Sequence, residues 1–343
     1  MKKQLSISWD GIQDATGYLF SFGKSLACAV KNSPWSEYAE DIVATSGFAF
    51  RMWVNTDLCP SATSIWGFDC QKPWVENGGL LCDYVGRYWG QEHIEKEKQL
   101  EAIKNIKSSI DRGIPAISWD IGVPEWGLIT GYDDAIQMFY TLAINAEKAD
   151  PTSPAYNSVQ MPYDALGKRE LPILSVLTIT GSSGKTKEDF LHDTMKLAVN
   201  HLRGREWCDN AKGLDAYPAL IRIFDENPDI AASWNAEYFL GTYGALKEYA
   251  YKYFEKVEAV KNIFGDKTQE ALSTLEVEFS EDTLYMRVDY DGRLIINPRY
   301  LEEGNFTDIY LDIIHELVHV KQVMSGKNCN HSLPYVKRPL EIE

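Results

Sequence analysis

GIPAISWDIGVPEWGLITGYDDAIQMFYTLAI, residues 113 to 144, decides the fold. Within it PAISWDI (115–121) and WGLITGYDD (126–134) flank a short turn around Val123 and Pro124, and MFYTLAI (138–144) follows. Short apolar runs bounded by Gly, Pro and Asp read as strands, and the brief connections between them make the pairing antiparallel. Further along, LPILSVLTIT (171–180) reads as a buried strand. Residues 1 to 181 are therefore expected to form an α+β domain.

Beyond residue 182 the pattern changes. KEDFLHDTMKLAVNHL, LDAYPALIRIFDE and AEYFLGTYGALKEYAYKYFEKVEAVKNIF place apolar residues at helical spacing with charges on the other face, so 182–264 is expected to be a helical region. From 265 to 343 strand-like TLYMRVDY and RLIINP, with Asp291-Gly292 as the turn between them, lead into a helix over DIIHELVHV. The expectation is an α+β chain in three parts.

Composition removes several function classes. In 343 residues, 45% are apolar and 24% charged, close to soluble globular averages. A net charge of −16 repels nucleic acid and anionic lipid, and no Lys/Arg cluster offsets it. The N-terminal MKKQLSISWDGIQ lacks the apolar run of a signal peptide, and no stretch reaches membrane-spanning length, so a cytoplasmic location is expected. The six cysteines form no C-x-x-C pair and are expected to be reduced thiols.

The strongest chemical signal is HELVH, residues 315–319. Residues four apart stack on one helix face, so His315 and His319 can present two imidazoles to one zinc, and Glu316 can act as general base towards the water held there. Ile313, Ile314, Leu317, Val318 and Val320 frame the motif with apolar residues suited to burial. RLIINPRYL, DIIHELVHVKQVMSGK and RPLEIE together resemble the small gluzincin-type peptidase domains over about the last 80 residues. That resemblance implies an edge strand beside the helix and a third ligand from a following helix, for which Glu341 fits best and Glu343 next. His331 lacks the glycine-containing surroundings of the three-histidine motif. The sequence ends two residues after Glu341, so the expectation is either a truncated domain or an incomplete site.

SGFAFRMWV (46–54), LCPSATSIWGFD and SSIDRGIPAISWDIGVPEWGLITGYDD resemble the papain-like fold of bacteriocin-processing cysteine peptidases and of the butirosin-type acyltransferase N-terminal domain, over most of residues 5–181. The resemblance implies a nucleophilic Cys at the start of the first helix and a His base before the G-Y-D element. Here those places fall on Ser21 or Phe22 and on Glu125 or Trp126. Cys28 lies about two turns into the same helix, on an alanine-rich face that favours a packed thiol. A Ser21–Glu125 pair is chemically weak while the carboxylate keeps its ordinary pKa. Trp9, Asp10 and Arg51 are further cleft candidates, with Asp10-Gly11 expected as a turn.

TITGSSGKTKED ends like a phosphate-binding loop, but the glycine required five positions before Gly184 is Ile179, so the stretch reads as a turn with Thr186 or Ser183 capping the next helix. DENPDI (225–230) lacks the alternating oxygen ligands of a calcium loop. The functional expectation is a zinc-dependent hydrolase, a peptidase, acting on a peptide or small acyl-containing substrate. Two alternatives remain: a regulatory ligand-binding protein on a degenerate papain-like scaffold, and an acyltransferase or cysteine peptidase using the N-terminal domain.

Overall fold

The computed structural model describes residues 1–12, 16–60, 67–144, 159–168, 172–204, 211–256, 277–289 and 291–303, together with Asp312 and Glu316. Helices and strands are mixed, and the chain forms two compact units, Met1–Lys256 and Val257–Glu343.

A seven-stranded sheet organises the first unit. Its strands are β1 (Lys2–Gln4), β3 (Leu80–Arg87), β4 (Ala116–Ser118), β5 (Gly127–Asp133), β6 (Met138–Leu142), β7 (Gln160–Pro162) and β8 (Leu174–Ser182). A separate two-residue strand, β2 (Trp53–Val54), pairs with β9 (Ala211–Lys212). The sheet runs β3-β8-β4-β5-β6-β7, every pair antiparallel, and β1 joins β5 on the stretch beyond its pairing with β4. The four expected strands form as β4, β5, β6 and β8. The first is shorter than its apolar run, because the chain leaves the ladder at Trp119 and turns through Asp120 at φ 62°.

Every residue of β5 is buried, so this strand is covered on both faces. Helix α4 (Glu95–Asp111) brings Ala102, Ile106 and Ile110, spaced by four, onto Val85, Ala116, Ile129 and Tyr132. Strict alternation would put Ile129 and Tyr132 on opposite faces; a register shift between Ile129 and Gly131 lets both enter one core. Gly131 has a steric role as well. A Cβ there would stand 2.6 Å from the Lys3 carbonyl and push β1 off the sheet.

The helical segment up to Lys256 is part of this first unit. Helices α5 (Lys187–Leu202), α6 (Ala216–Glu226) and α7 (Trp234–Lys256) form where expected. Their apolar faces need a partner surface, and they find it on the N-terminal segments: α5 and α7 both touch the short helix α2 (Ile42–Thr45). The Tyr243 hydroxyl of α7 accepts the Trp53 N–H at 2.8 Å and donates to the Trp53 carbonyl at 2.9 Å. Thr16 donates to the Gly241 carbonyl at 2.8 Å, and Gly241 has no room for a Cβ, which would meet the Tyr18 ring at 2.5 Å.

In the second unit, β12 (Leu294–Ile296) lies between β10 (Val277–Phe279), parallel to it, and β11 (Met286–Val288), antiparallel. The expected Asp291-Gly292 turn lies in the β11–β12 connection, with Gly292 at φ 85° and the Asp289 N–H donating to the Arg293 carbonyl at 3.0 Å. Met286, Leu294 and Ile296 form a small core with Val288 and Tyr300 packed against it.

Candidate functional site

Helix α1 (Ser21–Lys31) starts at Ser21, one of the two residues, with Phe22, that the sequence offered for the nucleophile's place. Phe20 at its N-cap makes no side-chain cap, and the first amide bonded back is that of Lys24, donating to the Phe20 carbonyl at 3.0 Å. The amides of Ser21, Phe22 and Gly23 therefore have no acceptor within the helix, and they carry the positive end of its dipole.

The turn from Trp119 to Trp126 brings Glu125 to this end. It is tied by the Ile121 N–H donating to the Glu125 carbonyl at 3.1 Å and the Glu125 N–H donating to the Val123 carbonyl at 2.6 Å. The Ser21 hydroxyl donates to the Glu125 carboxylate, while the Trp126 N–H donates to the Ser21 oxygen at 3.2 Å. Burial raises the Glu125 pKa above the ordinary carboxylate range, opposed in part by the bond from Ser21. The sequence objection to a Ser21–Glu125 pair assumed an unshifted carboxylate; the structure gives it a shifted one.

Around the pair stands a chain of aromatic contacts. Phe68 touches Trp126 at 4.7 Å between ring centres, Trp126 touches Phe22 at 5.0 Å, Phe22 touches Phe48 at 5.1 Å, and Phe48 touches Trp74 at 5.3 Å. Phe68 and Trp74 lie three residues either side of Gln71, the first residue of helix α3 (Gln71–Asn77). Gln71 is fully buried, and neither end of its amide has a hydrogen-bond partner among the described residues. The sequence reading passed it over. Its signal is a lone carboxamide flanked at helical spacing by two aromatic residues in FDCQKPW.

The other N-terminal candidates separate. Cys28 is fully buried, donates to the Ser8 carbonyl at 3.3 Å, and has its thiol pKa pushed up to about 11 by burial. That is a packed thiol, and it speaks against the Cys28 nucleophile considered from sequence. Asp10-Gly11 forms the expected turn, the Ile12 N–H donating to the Trp9 carbonyl at 3.0 Å. Trp9 lies under the Lys24 ammonium at 5.2 Å, on the helix that carries Ser21. Arg51 is buried and stacks on Trp53 at 4.0 Å. Lys247 donates to the Ala49 and Arg51 carbonyls at 3.0 Å each, and burial followed by the Arg51 charge lowers its pKa to about 7.

Of the metal motif, Glu316 is described: it is helical and buried. Asp312, also helical and one turn earlier, accepts from the Tyr300 hydroxyl at 2.7 Å. His315, His319, His331, Glu341 and Glu343 lie outside the described residues. Among the described residues no three His, Cys, Asp or Glu side chains group to hold a metal. The expected edge strand takes a different form: RLIINP supplies β12, paired on both sides, and the outer strands of the three are β10 and β11.

Thr186 settles the glycine-rich stretch as a helix start. It accepts the Asp189 N–H at 3.2 Å and its own N–H donates to Asp189 at 3.1 Å, a reciprocal cap on α5. Among the described residues no helix is long and apolar enough to cross a membrane. The four described cysteines, Cys28, Cys59, Cys70 and Cys82, are free thiols. No family model, curated protein or solved structure matches the chain.

Proposed function

We propose that the chain is a zinc-dependent hydrolase, a peptidase acting on a peptide or small acyl-containing substrate, with its metal centre in the second unit. The observation that carries the reading is Glu316, a buried helical carboxylate inside His-Glu-Leu-Val-His. Two imidazoles and a carboxylate from Glu341 or Glu343 make a donor set whose chemistry suits zinc, so the residues present fit the group. Zinc held there supplies a Lewis acid and brings the pKa of a coordinated water towards neutrality. Glu316 takes the proton of the attacking water and returns it to the leaving group. His315 and His319 hold the ion. The unpaired edges of β10 and β11 are the described positions where an extended peptide can add main-chain hydrogen bonds. Metal content of the purified chain, compared with a chain in which both histidines are alanine, tests the reading.

A further inference from the structure

The first two turns of α7 present aromatic rings to solvent beside a carboxylate. We propose that Trp234, Tyr238 and Tyr18, together with Glu237, form a binding site for a quaternary or methylated ammonium group. Trp234, Glu237, Tyr238 and Gly241 share one face of α7 by their spacing. Trp234 is 58% exposed, and Tyr238 and Tyr18 are half-buried. Trp234 meets Tyr238 at 5.2 Å between ring centres with the planes 36° apart, and Tyr18 meets Tyr238 at 5.9 Å and 81°. Rings set at such different tilts let a small cation lie against more than one of them.

The rings are held in place before any ligand arrives, which spares the cost of ordering them. The Thr16 hydroxyl donates to the Gly241 carbonyl at 2.8 Å and accepts the Tyr18 N–H at 3.1 Å, and the Thr242 hydroxyl donates to the Tyr18 carbonyl at 3.1 Å. Gly241 leaves the space that the Tyr18 ring fills. The Tyr18 hydroxyl donates to Glu237 at 2.6 Å, which pushes electron density into the ring and strengthens its attraction for a cation.

The surrounding charge selects the sign of the ligand. From Ile223 to Leu246 there is no lysine or arginine, while Asp225, Glu226, Asp229 and Glu237 are all exposed. Lys247, the next cation along the chain, turns inward to the Ala49 and Arg51 carbonyls. The positive end of the α7 dipole opposes a cation, and it is met by Glu237 in the first turn and by Ser233, whose hydroxyl accepts the Ala236 N–H at 3.2 Å. A plain ammonium is satisfied by any of these carboxylates. Methyl groups on the nitrogen remove its hydrogen-bond donors and spread the charge over a surface that rings can cover, so the aromatic faces favour the methylated form.

The test is calorimetric titration of the full chain, at low salt, with choline, with free Nε-trimethyllysine, and with 3,3-dimethylbutan-1-ol, which has the shape of choline without its charge. The expected result is saturable binding of both cations, one per chain, and none of the uncharged alcohol. W234A, with folding verified by an unchanged urea midpoint, weakens choline binding about fivefold or more, while W234F, which keeps a ring, retains it. E237Q also weakens choline binding and flattens its dependence on salt. No saturable binding of either cation up to about 10 mM overturns the proposal, and so does equal binding of the uncharged alcohol. Unchanged choline affinity in W234A overturns the placement of the site, and E237Q tests that placement separately where W234A loses stability.

Discussion

The Ser21 hydroxyl sits between two groups of one loop, donating to the Glu125 carboxylate and accepting from the Trp126 N–H at 3.2 Å. One side chain thus ties the first turn of α1 to the strand entry of β5. Removing it leaves two polar groups short of a partner in a largely buried place. Ser21→Ala is expected to lower stability by about 1–3 kcal/mol, read as a reduced urea midpoint at unchanged slope. A midpoint within error of wild type would show that the pair contributes nothing to folding.

The raised pKa of Glu125 has a consequence for pH. An acid whose folded pKa lies above its unfolded value adds stability that is complete below the unfolded value, about 4.3 for Glu, and is lost as pH rises through the folded one. The stability difference between wild type and Glu125→Gln is therefore expected to move against wild type as pH rises from about 4. Paired denaturation curves from pH 4 upwards measure it; a difference independent of pH contradicts a buried carboxylate.

Lys247 gives the opposite slope in a separate window. Burial, then the Arg51 charge, lowers its pKa to about 7 in the folded chain, against about 10.4 unfolded. Between those values the unfolded chain binds more protons, so this group makes stability rise with pH. Measured against Lys247→Met, wild type is expected to gain stability from pH 7 towards pH 10. Equal pH dependence in the two proteins would refute the shift.

Thiol reactivity separates the four described cysteines. Cys28 and Cys82 are buried with pKa values pushed up by burial to about 11 and about 12, whereas Cys59 and Cys70 are partly exposed. Under native conditions at pH 8, iodoacetamide is expected to modify Cys59 and Cys70 first and to leave Cys28 and Cys82 unmodified until the chain is denatured. Peptide mapping over time reads the order. Native modification of Cys28 at the rate of Cys59 would restore the cysteine nucleophile considered from sequence.

Local pattern carried much of the fold. The strands β4, β5, β6 and β8 and the helices α5, α6 and α7 stand in runs whose period names them. Two things escaped it. The docking of α7 depends on long-range bonds from Tyr243 to Trp53 and from Lys247 to Ala49, which no window of neighbouring residues contains. The environment of Glu125 escaped for a related reason: its basicity is set by burial, a property of the packed chain and not of the residue type. Ser21 and Glu125 were both picked out from sequence, but the bond between them joins positions 104 residues apart. Gln71 was missed because a single glutamine in a helix is ordinarily a surface residue.

The proposed chemistry of Glu316 requires that Glu316→Gln abolish hydrolysis while leaving metal content unchanged, since a base is removed and the proposed ligands are kept. Loss of metal with activity would instead make Glu316 a ligand, and retained activity would remove it from the chemistry.

The most direct test of the central claim is elemental analysis of the purified chain beside the chain carrying His315→Ala and His319→Ala. The account predicts about one zinc per wild-type chain and none in the double variant. No zinc in either, after zinc has been supplied, would contradict it.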